Sequence, residues 1–298
     1  MRTLVWLASF PKSGNTWTRA FIAAYLSGGE TFDLKQISRY SRSESLLALF
    51  ADRAGKPAAE LTDEDIDANR QAAQERLAQN IGRCVVKTHN ARLNRDHRRL
   101  IFSRYTRSAI YLIRNPLDVV DSLADHTNKS FDETIELMNQ PRHRLGATAK
   151  HAAQYVGTWS HHVETWINNN DEFPVLVLRY EDLKANPYDT FGELVRFLNW
   201  EFDDARLRRA IDLTSFERVR RAEDEYGFAE ASDVARSGRF FRHGEVDRWR
   251  KVLSSSQAAA VIEHHGAAMR VAGYDLPDLA ATTNTVRDPH AGEERSTT

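Results

Sequence analysis

Cysteine is nearly missing from this chain: Cys84 is the single one in 298 residues. That excludes an internal disulfide and any cysteine-built metal cluster, and it suits a reducing cytoplasm. Long apolar runs are missing too, so no segment is expected to span a bilayer. The apolar stretch after Met1-Arg2 is short, and the loop behind it has no small-residue cleavage site, so it is expected to remain as a strand and not to act as a signal peptide. Net charge is almost absent: 41 basic residues face 42 acidic ones, for a formal charge of −1. With no global field to draw nucleic acid or a membrane surface, any anion site must be local. No internal repeat or linker breaks the pattern, which predicts one domain over 1–281 and a disordered tail over 282–298.

Four short runs rich in aliphatic and β-branched residues read as strands: Leu4–Ala8, Cys84–Val86, Ala109–Ile113 and Val175–Leu178. Each is nearly continuous in apolar character, as expected of strands covered on both faces. Helical patterns separate them. Together they predict an α/β fold, a central parallel sheet flanked by helices. Trp17, Phe21, Ile22, Tyr25 and Leu26 line one face of the first helix, which stops at Gly28-Gly29. A charged insertion follows, with a surface helix over Thr62–Gln79. Asn115 caps a helix that opens on Pro116. Phe131 to Leu145 reads as an irregular mobile loop. Further helices are expected over Ala149–Asn168, Pro187–Asn199, Asp203–Leu213 and Ser256–Ala272.

Several element ends carry chemistry. Pro11-Lys12-Ser13-Gly14-Asn15-Thr16-Trp17 joins the first strand to the first helix. Such a turn aims free backbone N–H groups and a positive helix end at one point, where a phosphate-like anion fits. The order of lysine and glycine is the reverse of a G-x-x-x-x-G-K-[ST] loop, which disfavours ATP or GTP. The plain alternative is a strand-to-helix turn with a solvated lysine. Lys87-Thr88-His89 closes the second strand, at the sheet end where ligands bind. His89 is a candidate base there, or a satisfied polar residue. The other histidines show no metal-ligand spacing, and His161-His162 and His264-His265 read as solvated helix faces. Arg114 leaves the third strand and Ser122 lies two helical turns on. Arg114 either holds a second phosphate or pairs with a carbonyl or Asp118. Arg179-Tyr180-Glu181-Asp182 follows the fourth strand, with Tyr180 at the crevice. The late loop Arg239–Gly244, before Trp249, suits phosphate wrapping by backbone N–H groups, or is a surface loop pinned by two phenylalanines.

In this order these segments resemble the cytosolic-type sulfotransferases, from Leu4 to about Trp249. Pro11–Trp17 is similar to that family's 5′-phosphosulfate loop and Lys87-Thr88-His89 to its K-T-H strand end. Arg114 with Ser122 matches its 3′-phosphate element, Tyr180-Glu181-Asp182 its Y-E-D segment, and Thr214-Ser215-Phe216 its T-S-F segment near adenine. Arg242–Trp249 is an altered R-K-G-x-x-G-x-W loop, with His243 in place of lysine and Asp247 in place of the second glycine. Asn90-Ala91 also depart from the proline that follows K-T-H-x.

The resemblance implies a P-loop NTPase-like sulfotransferase fold and sulfuryl transfer from 3′-phosphoadenosine 5′-phosphosulfate, without a metal, to a hydroxyl or amine of a small acceptor. It implies His89 as base, Lys12 at the departing phosphate and Lys87 at the sulfuryl oxygens. Ser122 would bind the 3′-phosphate and hold Lys12. Arg114 and the Arg242, His243 and Gly244 backbone would also read the 3′-phosphate, and Trp17 and Phe216 would hold adenine. An ATP-dependent kinase and a non-catalytic nucleotide-binding protein are the alternatives. The segments Glu30–Gly82 and His126–Lys150 are expected to line the acceptor pocket. A cytoplasmic protein with no nucleic-acid or membrane partner is expected, and a homodimer is left open.

Overall fold

Strand β1 (Leu4–Ser9) is buried along its whole length, with Val5 and Leu7 in one apolar layer and Trp6 and Ala8 in the other. Side chains alternate across a strand, so a continuous apolar run means cover on both faces. In the computed structural model, which describes residues 2–28, 31–94, 96–168, 172–228, 230 and 234–279, this strand is central. The five-stranded sheet also contains β2 (Ser41–Ser43), β3 (Val85–Thr88), β4 (Thr106–Ile113) and β7 (Val175–Arg179), in the order β2-β3-β1-β4-β7. All four pairings are parallel. Trp6 is fully buried and its Nε1 donates to Thr106 Oγ1 at 2.9 Å, so its burial carries no unpaired donor. A side chain of this type contributes on the order of 2–3 kcal/mol by leaving water.

Helices cover both faces. One layer holds α1 (Asn15–Ser27), α9 (Pro187–Phe197) and α10 (Asp204–Leu213); the other holds α5 (Pro116–Thr127), α6 (Phe131–Met138), α7 (Trp159–Ile167) and α13 (Ser255–Val271). Shorter helices complete the chain: α2 (Ile37–Tyr40), α3 (Ala48–Ala54), α8 (Tyr180–Ala185) and α12 (Trp249–Val252). The surface helix α4 (Asp63–Asn80) starts at a capping box between Thr62 and Asp65, and α11 (Phe216–Tyr226) leads toward the late loop. Helix α1 ends on Gly28 at φ 60°, a left-handed cap that glycine adopts at little cost. The Asn115 side chain accepts from Leu117 N, and Pro116 opens α5. The architecture is a single α/β domain with a parallel sheet, as the apolar runs predict.

Several expectations are corrected. Phe131–Leu145 is not one irregular loop: Ser130 and Glu133 form a capping box, and Phe131, Thr134, Ile135 and Met138 are the buried stripe of α6. The 3.6-residue period was masked by the acidic residues on the outer face. Residues Ala149–Asn168 are helical only over α7. The preceding Gln154–Tyr155 forms β6, paired antiparallel with β5 (Arg144–Leu145). The charged insertion hides an edge strand, β2, which pairs with β3. His162 and His265 are not solvated: both are buried on the inner side of their helices. His162 Nε2 donates to the His89 carbonyl at 3.2 Å, and His265 Nδ1 bonds Ser160 Oγ at 2.8 Å. The tail over 282–298 lies outside the described residues.

Candidate active site

The strand ends come into line because the sheet is parallel and in register. Ala8 pairs with Thr88, Ser9 with Leu112 and Ile113 with Arg179. Lys12, His89, Arg114 and Tyr180 therefore leave the same edge. They line one cavity of about 280 Å³, together with Gly14, Asn15, Thr16, Trp17, Lys87, Ser122, Phe216, Arg242, His243 and Gly244. Ser13 is fully buried beneath the loop. Thr214 and Ser215 do not reach the wall: Thr214 is buried with its hydroxyl on Ala210 O, and its carbonyl accepts from Trp17 Nε1 at 2.6 Å.

The first loop turns through Lys12 at φ 65° and Gly14 at φ 96°. A Cβ on Gly14 would meet the Tyr180 ring at 2.8 Å, so glycine serves both the backbone angle and the close approach. The first N–H groups of α1 have no intrahelical acceptor and open toward this loop. Arg114 joins the first loop to the late loop. Its Nη1 donates to the Lys12 carbonyl at 3.2 Å and its Nη2 to the Glu245 carbonyl at 3.0 Å, while the guanidinium lies 4.4 Å from the Tyr180 ring centre. Asp118 does not pair with Arg114 but receives the backbone N–H groups of Asp247 and Trp249. Glu223 likewise holds the N–H groups of Phe240 and Phe241. Two buried carboxylates thus tie down the late loop.

Within that loop Gly244 has φ 63°, and a Cβ there would lie 2.4 Å from the Phe216 ring. Asp247 has φ 58°, so the position where the resembled motif carries glycine does adopt the left-handed region. Aspartate tolerates that region better than most residues, and its Oδ1 accepts from Trp249 Nε1 at 3.2 Å. The Arg242 guanidinium is committed to Asp121 and Asp125, at 2.5 and 3.7 Å, which leaves its backbone for a ligand.

Burial dominates the electrostatics. Lys12 is pushed down to about 8, first by desolvation and then by Arg114; its Nζ sits 4.1 Å from the Phe240 ring centre. Lys87 is also lowered to about 8 by burial and by Arg19, against the opposing pull of Glu230. Burial and then Lys87 hold His89 down at about 3, so the ring is neutral near pH 7. Its Nδ1 is 2.9 Å from the Ser9 carbonyl, which can only accept, so Nδ1 carries the hydrogen and Nε2 keeps its lone pair. Ser9 is in turn held by Asn15, whose Nδ2 donates to Ser9 Oγ at 3.2 Å.

A second cavity of about 790 Å³ meets the first at Lys87, His89, Leu145 and Glu230. Its walls come from 33–46 in the insertion, from 145–154, and from Tyr226, Gly227, Phe228 and Glu230. Apolar residues such as Leu34, Ile37 and Phe228 face polar ones such as Ser43, His151 and Gln154. The arrangement puts a neutral imidazole and a lysine at the junction of a smaller cavity lined by Lys12, Arg114 and Arg242 and a larger mixed one. Sequence reasoning missed Ser9, Arg19, Glu223 and Glu230, and offered Asp118 only as a partner of Arg114. An arginine four residues after Asn15, on a buried helix, was a signal for Arg19; nothing local marks Glu230. Among the described residues, no group of three or more His, Cys, Asp or Glu is placed to hold a metal ion, and no helix is long and apolar enough to cross a membrane.

A sulfotransferase-domain family model matches residues 2–273. The chain belongs to the sulfotransferase family. Sulfotransferase 1B1 of the dog, Canis lupus familiaris, is 27% identical over 222 residues, 72% of this chain and 65% of the dog protein. The aligned part thus spans just under two thirds of that relative. Among solved structures, mouse sulfotransferase SULT7A1 complexed with PAP is 18% identical with a TM-score of 0.56, covering 90% of this chain and 85% of the other. Retinol dehydratase in a complex with retinol and PAP is 17% identical with a TM-score of 0.60, over 93% and 84% of the two chains. At these identities the structural likeness concerns the fold, and the family rests on the sequence match.

Proposed function

We propose that this member of the sulfotransferase family moves a sulfuryl group from 3′-phosphoadenosine 5′-phosphosulfate to a hydroxyl or amine of a small acceptor. The observation that carries the reading is the convergence of Lys12, Arg114 and His89 on one cavity that opens into a second beside His89. The residues fit a doubly phosphorylated nucleotide. Two anion loops face each other across Arg114, and both Ser13 Oγ and Arg114 Nε are buried without a hydrogen-bond partner among the described residues. Relatives of the same fold are described as complexes with PAP, the desulfated nucleotide. No observation favours the kinase alternative.

When bound, the donor supplies an activated sulfuryl group, whose bond to the phosphate oxygen breaks as a bond to the acceptor oxygen or nitrogen forms. This chain supplies positioning and charge. Lys12 and the α1 N-terminus bind the 5′-phosphate, and the Lys12 ammonium offsets the charge left on the departing oxygen. Arg114, Ser122 and the backbone of Arg242–Gly244 bind the 3′-phosphate, which separates this nucleotide from ATP. Trp17 and Phe216 hold the base. Lys87 steadies the sulfuryl oxygens. His89 accepts the acceptor's proton at Nε2, in the tautomer that the Ser9 carbonyl imposes. The second cavity takes the acceptor, with its apolar wall along the body and its polar residues at the end near His89. Retinol and androsterone appear with one relative of this fold, and a small hydroxyl compound is the matching class here. With one cysteine, the chain suits the cytoplasm.

The test is transfer of labelled sulfuryl from the donor to a panel of alcohols, phenols and amines. His89→Ala should lower turnover by about 100-fold or more and leave binding of adenosine 3′,5′-bisphosphate intact. Unchanged turnover rejects His89 as base.

A further inference from the structure

Arg19 has no part in the reading above, yet it is a deeply buried cation in the wall of the second cavity, against the junction residue Glu230. Its side chain is 4% exposed. Asn15 Oδ1 accepts from its Nε at 3.0 Å and Thr16 Oγ1 from its Nη2 at 2.9 Å, so both residues of the anion loop orient it. Its two terminal nitrogens meet the Glu230 carboxylate side-on, at 2.8 and 2.6 Å. The same carboxylate accepts from Lys87 Nζ at 3.3 Å and from Thr16 Oγ1 at 3.3 Å. Glu230 lines both cavities, as do Lys87 and His89.

Four donor atoms on three residues therefore converge on one pair of anionic oxygens, next to the base and in the gap between the donor and acceptor cavities. A guanidinium buried beside a cavity is costly unless it faces an anion, and its planar fork suits two oxygens borne by one atom. A carboxylate and a sulfuryl group both present oxygens of that kind, and two such anions cannot share the same donors.

We propose that Arg19 is a catalytic residue of the transfer, forming with Lys87 and Thr16 a cradle for the sulfuryl oxygens, and that Glu230 is an internal stand-in which the donor displaces. Arg19 then donates hydrogen bonds as the sulfur moves from phosphate oxygen to acceptor; no proton leaves or reaches it. The proposal rests on the nucleotide reading above.

Calorimetric titration of the full chain with two probes tests it. Adenosine 3′,5′-bisphosphate has no sulfuryl group; 3′-phosphoadenosine 5′-phosphosulfate does. Arg19→Gln should weaken the sulfated nucleotide about tenfold or more while the bisphosphate changes by about twofold at most, and Arg19→Lys should restore part of the difference. Glu230→Gln, which keeps the shape and removes the competing charge, should tighten the sulfated nucleotide by roughly tenfold and the bisphosphate little. If Arg19→Gln does not fold, the Glu230→Gln result stands alone. Equal weakening of both nucleotides by Arg19→Gln makes Arg19 structural and overturns the proposal. So does unchanged or weaker binding of the sulfated nucleotide by Glu230→Gln. Wild-type protein that binds neither nucleotide overturns the nucleotide reading as well, so the two failures are distinct.

Discussion

Raising the pH should release the donor in a way that counts lysines. Lys12 and Lys87 are both held at about 8, against an ordinary value of 10.5, because burial and neighbouring arginines disfavour their charged forms. Only the ammonium forms attract phosphate and sulfuryl oxygens. The sign follows: affinity is full below about pH 8 and falls as pH rises through it. At pH 9 each lysine is charged in roughly one molecule in eleven. The bisphosphate nucleotide, which needs Lys12, should then bind about 10-fold more weakly than at pH 7, since apparent affinity scales with the competent fraction. The sulfated nucleotide, which needs both lysines, should bind about 100-fold more weakly by the same scaling. Bound anions raise the lysine values again, so binding at pH 9 should take up about one proton for the first ligand and nearly two for the second. Calorimetry in buffers of different ionisation enthalpy measures both quantities, and Lys12→Met should abolish the dependence for the bisphosphate. Affinity that stays flat from pH 7 to 10, with no proton uptake, would refute the assignment of these lysines to the ligand.

Other consequences are as direct. Arg114→Ala should weaken adenosine 3′,5′-bisphosphate by about 10- to 100-fold relative to AMP, the range for lost charge-assisted hydrogen bonds; equal weakening of the two nucleotides would remove Arg114 from the 3′-phosphate. Gly244→Ala forces an L side chain into φ 63° and against the Phe216 ring. At roughly 1–2 kcal/mol for the backbone alone, it should lower nucleotide affinity about tenfold, as read by titration. Acid should destabilise the fold through buried histidines. His162 is held at about 3 and His265 at about 4, both by desolvation, against 6.5 in the unfolded chain. The unfolded state takes protons first, so stability is whole above pH 6.5 and lost as pH falls below it, by about 1.4 kcal/mol per pH unit for each group. Urea melts at pH 7.5 and 5 should differ by about 4 kcal/mol for the pair, and coincident curves would contradict the burial of both rings.

The reading of the sheet from the sequence worked where burial was simple. Leu4–Ala8 and Ala109–Ile113 are apolar without a break because both of their faces meet helices, and that pattern survives without knowledge of partners. It failed where one side of an element faces water. The α6 stripe was diluted by Asp132, Glu133 and Glu136, and β2 is a three-residue edge strand that pairs, among the described residues, with β3 alone. His162 reads as a surface residue on its helix; its burial follows from Tyr111, whose hydroxyl bonds His162 Nδ1 at 2.9 Å from a strand 51 residues away.

The candidate site divides the same way. Lys12, Gly14, His89 and Arg114 were legible because they sit at strand ends and turns, where local sequence fixes the backbone and so the direction of N–H groups and side chains. The sequence alone determined the α/β class, the turn from β1 into α1 and the strand ends that line the candidate site. Only the tertiary structure decided which tautomer His89 holds, that Arg114 bridges one loop 102 residues before it and another 131 residues after it, and that Glu230 lies on Arg19 from 211 residues away. Those contacts depend on desolvation and on charges brought together by packing, and neither is a property of any short stretch of chain.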